Sequence, residues 1–378
     1  MKFSAPRFFP LAAAIFCLLS SFAENGYSQA TTDPVGFVTL NIAGKGANAS
    51  AGFTFGSLGL TNPVIYQGVA DSVATNTITV NSGPWTANQF SQTTIPSGSN
   101  PAYFVEITTP SGAASQSPGA GTTYDIQSNS TSTITLSQNL AAGITQGAQF
   151  KIRTHWTIGS LLGATNNKVI DPSTNQVVGL GGGTSTSADQ ILRWNGNGYD
   201  IFYYKTSGGF GANNIWAKAG VAVADYSGTT LYPEDAIIIQ RFQASPLALV
   251  ITGAVKTGQT VVPITPGNNF VGNLYAAGMT LSDCGLYTGD SSTGVAPGGV
   301  SDADQVLIWN SSLGGGTGGY DIYFYKTAGG FGGVAGWKKS SDLSDATNVT
   351  IPVGQAIIVN RKAAGGFNWV IPQHPATL

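Results

Sequence analysis

Residues 188–218 read ADQILRWNGNGYDIFYYKTSGGFGANNIWAK, and residues 303–339 read ADQVLIWNSSLGGGTGGYDIYFYKTAGGFGGVAGWKK. From Tyr199 and Tyr320 to Trp216 and Trp337 the two stretches run without a gap at an offset of 121 residues. Farther on, AIIIQR at 236–241 answers AIIVNR at 356–361. Matching of this density marks an internal repeat, one β-unit written twice. Within a copy, β-branched and aromatic runs alternate with glycine turns, which is strand and hairpin chemistry. The spacing predicts a strand over 190–194, a turn over 195–198 and a returning strand over 199–205. Asn195, Gly196, Asn197 and Gly198 suit that turn because Asn and Gly accept the positive φ of tight hairpins. The second copy replaces it with a longer Gly-rich loop at 311–319, an insertion that a strand would not tolerate. A second glycine turn, at 207–211 or 328–333, leads to a strand carrying Trp216 or Trp337. The apolar runs at 236–240 and 356–360 supply another strand each. No helical period is present.

Working outward, GFTFGSLGL (52–60), HWTIGSLLG (155–163) and AAGMTLSDCGL (276–286) share a fainter pattern, and each is expected to open a unit. The chain over 31–152 is different in texture. Short Thr-rich strand candidates fall at 36–41, 64–69, 77–80, 103–108, 123–126, 133–136 and 149–153, spaced as in a sandwich or open barrel. The uncharged connector 110–121 reads as a surface loop. The fold class is therefore all-β, built of antiparallel sandwich or open-barrel modules, with the C-terminal two thirds an internal duplication. The expected division is a leader at 1–30, a Thr-rich domain at 31–152, and repeat units at 153–255 and 256–378.

At the N-terminus, Lys2 and Arg7 precede an apolar run over 8–19, followed by small and polar residues. That is the pattern of a cleaved secretory signal peptide. The run is well short of the ~20 residues that span a bilayer as a helix, so no membrane span is expected after cleavage. Small-x-small cleavage sites end at Ala23 and at Ala30. Cys17 follows Phe16 inside the apolar run, where a lipobox needs a small residue, so no lipid anchor is expected. Removal of the leader leaves Cys284 as the one cysteine and excludes an intramolecular disulfide.

Only 9% of residues are charged, against about 25% in ordinary soluble domains. The net charge of −2 points to neither nucleic acid nor an anionic membrane as partner. Seven Trp, 14 Tyr and 18 Phe in short alternating blocks supply a core, so the 51 glycines signal turns rather than disorder.

The stretches TTDPVGFVTLNI (31–42), ADQVLIWN, GGYDIYFYKTAGGF and GWKK together resemble a family of secreted proteins of unknown function seen chiefly in verrucomicrobial bacteria. The resemblance spans most of the chain beyond the leader. It implies export, to the cell envelope or the medium, and a lineage-restricted role; it assigns no catalytic or binding residue.

Catalytic chemistry has little to work with. A Ser/His/Asp or Cys/His arrangement needs a histidine base, and the chain has His155 and His374 alone, neither near a nucleophile elbow. Two histidines and one cysteine give no zinc-ligand spacing. Glycoside hydrolysis needs only two carboxylates, and past the leader Glu106 and Glu234 are the only glutamates. Asp189 and Asp304 are equivalent across the copies, as are Asp200 and Asp321. Residues kept in both copies serve the shared fold first, Asp189 by binding backbone amides at a strand entry and Asp200 by following the turn. No cofactor is implied beyond calcium, for which Asp302, Asp304 and Asp290 are the candidate oxygen ligands.

Binding is the better-supported expectation. The strand at 199–205 carries Tyr199, Ile201 and Tyr203 on one face and Phe202 and Tyr204 on the other; the second copy has Tyr323 and Tyr325 on the latter face. If that face stays open, Phe202, Tyr204, Tyr323 and Tyr325 form a duplicated strip on which sugar rings stack; if both faces are covered, the residues are core. The expected role is a non-catalytic structural or interaction protein of the cell exterior, partnered by itself or by an extracellular glycan. Carbohydrate binding on the aromatic strands is the alternative, and glycoside hydrolysis comes third.

Overall fold

The computed structural model describes residues 33–109, 119–327 and 333–372. The expected leader with Cys17, most of the connector at 110–121, turn residues 328–332 and His374 lie outside the described residues.

Strand Ala236–Arg241 is apolar at four consecutive positions, a pattern that fits a strand covered on both faces. Ile237 and Ile239 enter one core and Ala236 and Ile238 another. Around it the first copy builds a five-stranded antiparallel sheet. Its order is Ile215–Lys218, Tyr199–Lys205, Gln190–Trp194, Ala236–Arg241 and Gly52–Ser57. The second copy builds a sheet in the same order from Gly336–Lys339, Gly319–Lys326, Gln305–Asn310, Ala356–Arg361 and Gly267–Gly272. Registers agree as well: Ile191 lies between Phe202 and Ile239, and Val306 between Tyr323 and Val359.

Each five-stranded sheet has a smaller sheet over its outer face. In the first copy Val35–Ile42, Leu247–Ala254, Val169–Asp171 and Gln176–Val177 form that layer, and Val38, Leu40 and Leu249 meet Ile191, Phe202 and Ile239 in the core. In the second copy Thr260–Ile264 pairs with Phe367–Ile371, and Val262 and Trp369 meet Val306, Tyr323 and Val359. The inner faces of the two five-stranded sheets pack on each other through Phe55, Ile238, Phe270, Ile358 and Trp309. Two isolated bridges, Gly56 with Gln355 and Val271 with Asp235, tie the edges. Gly56 and Val271 hold the same place in their sheets, opposite Ile237 and Ile357, so the contact has an approximate twofold character.

The Thr-rich strands form a separate seven-stranded open sheet, in the order Val64–Val69, Gln149–Thr154, Tyr103–Thr109, Thr123–Asn129, Thr133–Leu136, Thr77–Thr79 and Ser72–Ala74, with its own core around Phe150, Val105, Ile126 and Trp85. The strand pairing does not follow the expected division at 153. Val35–Ile42 and Gly52–Ser57 pair with Leu247–Ala254 and Ala236–Arg241 of the first copy, so the Thr-rich sheet is inserted after that copy's first strands. GFTFGSLGL accordingly matches Gly267–Gly272 in position. HWTIGSLLG and AAGMTLSDCGL correspond to each other instead, since Trp156–Thr157 pairs with Thr230–Leu231 and Met279–Thr280 with Thr350–Ile351. Pairing between strands nearly 200 residues apart has no local signature, which is why the opening motif misplaces them. A single helical turn, Ile158–Leu162, is held by reciprocal bonds: the Thr157 hydroxyl accepts from Ser160 N, and the Ser160 hydroxyl accepts from Thr157 N. One turn is too short to leave a period.

Candidate functional site

The aromatic strip is not open. Phe202 is 1% exposed, Tyr204 7% and Tyr323 6%, all inside the cores between each large sheet and its covering layer. Tyr325 is half-buried and stacks on Tyr287 at 3.4 Å between ring centroids. On the opposite face Tyr320 and Tyr199 meet Phe55 and Phe270 of the other copy, Tyr203 is buried against Ala188 and Ala217 of its own, and Tyr199 stays 39% exposed. Phe202, Tyr204, Tyr323 and Tyr325 are packing groups, divided between two cores.

The candidate calcium ligands do not converge either. Asp304 is buried against Arg361 Nη1 at 2.5 Å, and it accepts from the backbone amides of Ala296 and Lys362 at 2.7 Å each. Its lone pairs are occupied. Asp302 caps Gly299 N and Asp290 caps Ser292 N, each within its own turn. Among the described residues no group of three or more His, Cys, Asp or Glu side chains is placed to hold a metal. Asp189 repeats the Asp304 arrangement with Arg241 at 2.6 Å and the amides of Gly181 and Phe242. Asp200 meets Lys218 at 2.9 Å and Asp321 meets Lys339 at 2.7 Å. Burial would raise both carboxyls, but these lysines and the flanking Asn195 and Asn310 outweigh it and hold them below the usual range. Glu106 lies between Arg153, at 3.0 Å, and Lys256. Burial pushes it up, yet the two cations win and hold it at about 2.

Two concave sites among the described residues bear on function. The first is a groove of about 250 Å³ at the seam between the copies, lined by Thr39, Asn41, Phe53, Thr54, Trp309 and Gln355, with no charged side chain. Trp309 ends the strand Gln305–Asn310, and its ring stacks on Phe55 from the other copy at 4.9 Å with 25° between planes. Phe53 meets the same ring edge-on at 6.0 Å. The Gly-rich loop peculiar to the second copy closes over the far side of the indole: a Cβ on Gly318 would lie 2.1 Å from it, and φ there is +88°. Trp309 Nε1 is buried without a hydrogen-bond partner. In the first copy Trp194 takes the corresponding place beside the short turn, packed on Phe270 at 4.9 Å with the planes tilted by 33°.

The second is a cleft of about 280 Å³ where the inserted sheet and both copies meet, lined among others by Asp125, Gln138, His155, Tyr232, Glu234 and Asn368. His155 is 4% exposed, its Nε2 lies 2.8 Å from Asp125 Oδ1, and its Nδ1 has no partner. Burial first, then Asp235 and Asp125, pushes Glu234 up to about 7. The structure thus brings His155 and Glu234 together and leaves Glu106 elsewhere. Sequence reading weighed these two residues separately; neither spacing nor type signals that strands so far apart in the chain share a cleft. In the sequence Trp309 stands out only as part of the repeat, and the loop inserted two residues after it is the one signal of its separate role.

Set against family models, curated proteins and solved structures, the chain matches none.

Proposed function

We propose that the protein is exported and acts at the cell exterior as an interaction protein that holds carbohydrate in the Trp309 groove. The observation that carries this reading is the Trp309 indole, which lines a space bordered by hydroxyl and amide groups and whose Nε1 is buried without a partner among the described residues. A buried donor without a partner costs roughly 1–3 kcal/mol, and a ligand whose entry shifts the indole enough for a hydroxyl to accept from Nε1 recovers that cost. Neutral sugars offer many hydroxyl groups to the Thr, Asn and Gln side chains of the groove, and an uncharged groove asks for no ion. The leader pattern over 1–30 and the likeness to secreted proteins support the location.

Glycan-array screening followed by calorimetry on the best ligand tests the proposal. Trp309→Ala is expected to weaken binding at least tenfold, about 1.4 kcal/mol, with an unchanged circular dichroism spectrum. Trp309→Phe keeps a ring but removes the donor, and it should fall between the two. Binding that survives Trp309→Ala undiminished, or no glycan bound by the wild-type chain, overturns it.

A further inference from the structure

The three-way cleft is rich in hydrogen-bond acceptors and has no cation in its lining. His155 Nε2 lies 2.8 Å from Asp125 Oδ1, and with the proton on Nε2 donated to that carboxylate the ring's lone pair is on Nδ1. That atom is buried and unpartnered, on a side chain that lines the cleft. No side chain among the described residues donates a hydrogen bond to the Glu234 carboxyl, and the charged groups that face it most strongly are Asp235 and Asp125. Lys256 attracts it only weakly, being bound to Glu106, and Arg193 acts mainly on Asp235. The hydroxyl of Tyr232 and the amides of Gln138 and Asn368 complete the polar wall. An anionic ligand would meet like charge here. A ligand that only accepts hydrogen bonds would leave His155 Nδ1 unsatisfied.

We propose that the cleft binds a primary ammonium group, three N–H donors and one positive charge, set among Glu234, Asp125 and His155 Nδ1. This site is separate from the Trp309 groove and stands without it. A free amino sugar and a lysine side chain both present such a group, and the two differ in what surrounds it. Charge-assisted hydrogen bonds to a carboxylate are about twice as strong as neutral ones, so an acetylated amine, which keeps the shape and loses the charge, is the sharp control.

The test is calorimetry or NMR titration of the full chain with glucosamine and with Nα-acetyl-lysine amide, against N-acetylglucosamine and the doubly acetylated lysine amide. At least one free amine is expected to bind, at least tenfold more tightly than its acetylated form. Preference between the two amines identifies the source. Glu234→Gln should weaken the amine at least tenfold while Trp309→Ala leaves it unchanged, which separates this site from the glycan groove. Because Glu234, faced by Asp235 and Asp125, ionises near neutrality, affinity for the lysine probe should rise between pH 6 and pH 8, and Glu234→Gln should abolish that rise. Equal binding of acetylated and free amines, or failure of both amines to bind, overturns the proposal. So does a Glu234→Gln chain that stays folded and binds the amine as the wild type does.

Discussion

Asp189 and Asp304 show what a single side chain does in this fold. Each closes the entry to its copy's second strand by accepting backbone amides, as their equivalence across the copies had suggested, and each also carries a buried arginine. The arginines, 52 and 57 residues farther along, were invisible to a local reading. Removing one partner from such a pair leaves a buried charge unmatched, at a cost of roughly 3–5 kcal/mol. Asp304→Asn is therefore expected to lower unfolding stability by that amount in urea titration; a loss below 1 kcal/mol would show that the pair is not buried as described. Titration is decided at the same scale. Glu234 is raised to about 7 and Asp235 to about 6, both mainly by burial. A raised value means that the fold favours the protonated form, so this contribution is complete below the unfolded value of 4.5 for Glu234 and disappears as pH climbs through 7. Glu106, held at about 2, has the opposite sign: its ionised form stabilises above 4.5, and the benefit is lost as pH falls toward 2. The urea midpoint should thus fall between pH 5 and pH 8, and Glu234→Gln should flatten the decline. A midpoint that rises over that interval would contradict the burial of Glu234.

At the scale of the element, the strands of both copies were legible because three signals coincide in them: alternating or continuous apolar runs, β-branched and aromatic composition, and glycine turns. The turn at 195–198 has Gly196 at φ +94°, the conformation that Asn-Gly sequences predict. What eluded the sequence was the use of the second face. Period two shows that Phe202 and Tyr203 point opposite ways, but not whether solvent or another sheet receives each. Within the two repeated hairpins the loop at 311–319 is where the copies diverge, and its consequence is the covered face of Trp309. Gly318→Ala places a methyl against the indole at a positive φ, so the loop must lift. Tryptophan emission is expected to shift to the red and glycan affinity to drop, with an unfolding penalty of only about 1 kcal/mol. Unchanged emission and affinity would mean that the loop does not close over the ring.

For the whole molecule, the all-β class and the doubled sheet followed from the sequence, whereas the insertion of the Thr-rich sheet and the seam between copies did not. The insertion hides because the first copy's opening strands are separated from their partners by the entire inserted sheet. The seam hides because residues that pack two like sheets together look the same as residues that pack any core. Yet the seam determines the functional reading: the covering layers bury Phe202, Tyr204 and Tyr323, and the seam leaves the Trp309 groove along its edge.

The face-to-face packing of the copies is tested most directly by Asp235→Cys combined with Val271→Cys, at one of the two bridges across the seam. Residues opposite each other on antiparallel strands have Cα atoms about 4.5–5.5 Å apart, within disulfide reach. Cys284 does not compete, being buried with its thiol pushed up to about 12. Mild oxidation should convert the double variant almost completely to an intrachain disulfide, read by thiol titration and mass, with a rise in thermal stability. Two free thiols that persist under oxidation, or crosslinks formed only between chains, would contradict the seam and the groove that depends on it.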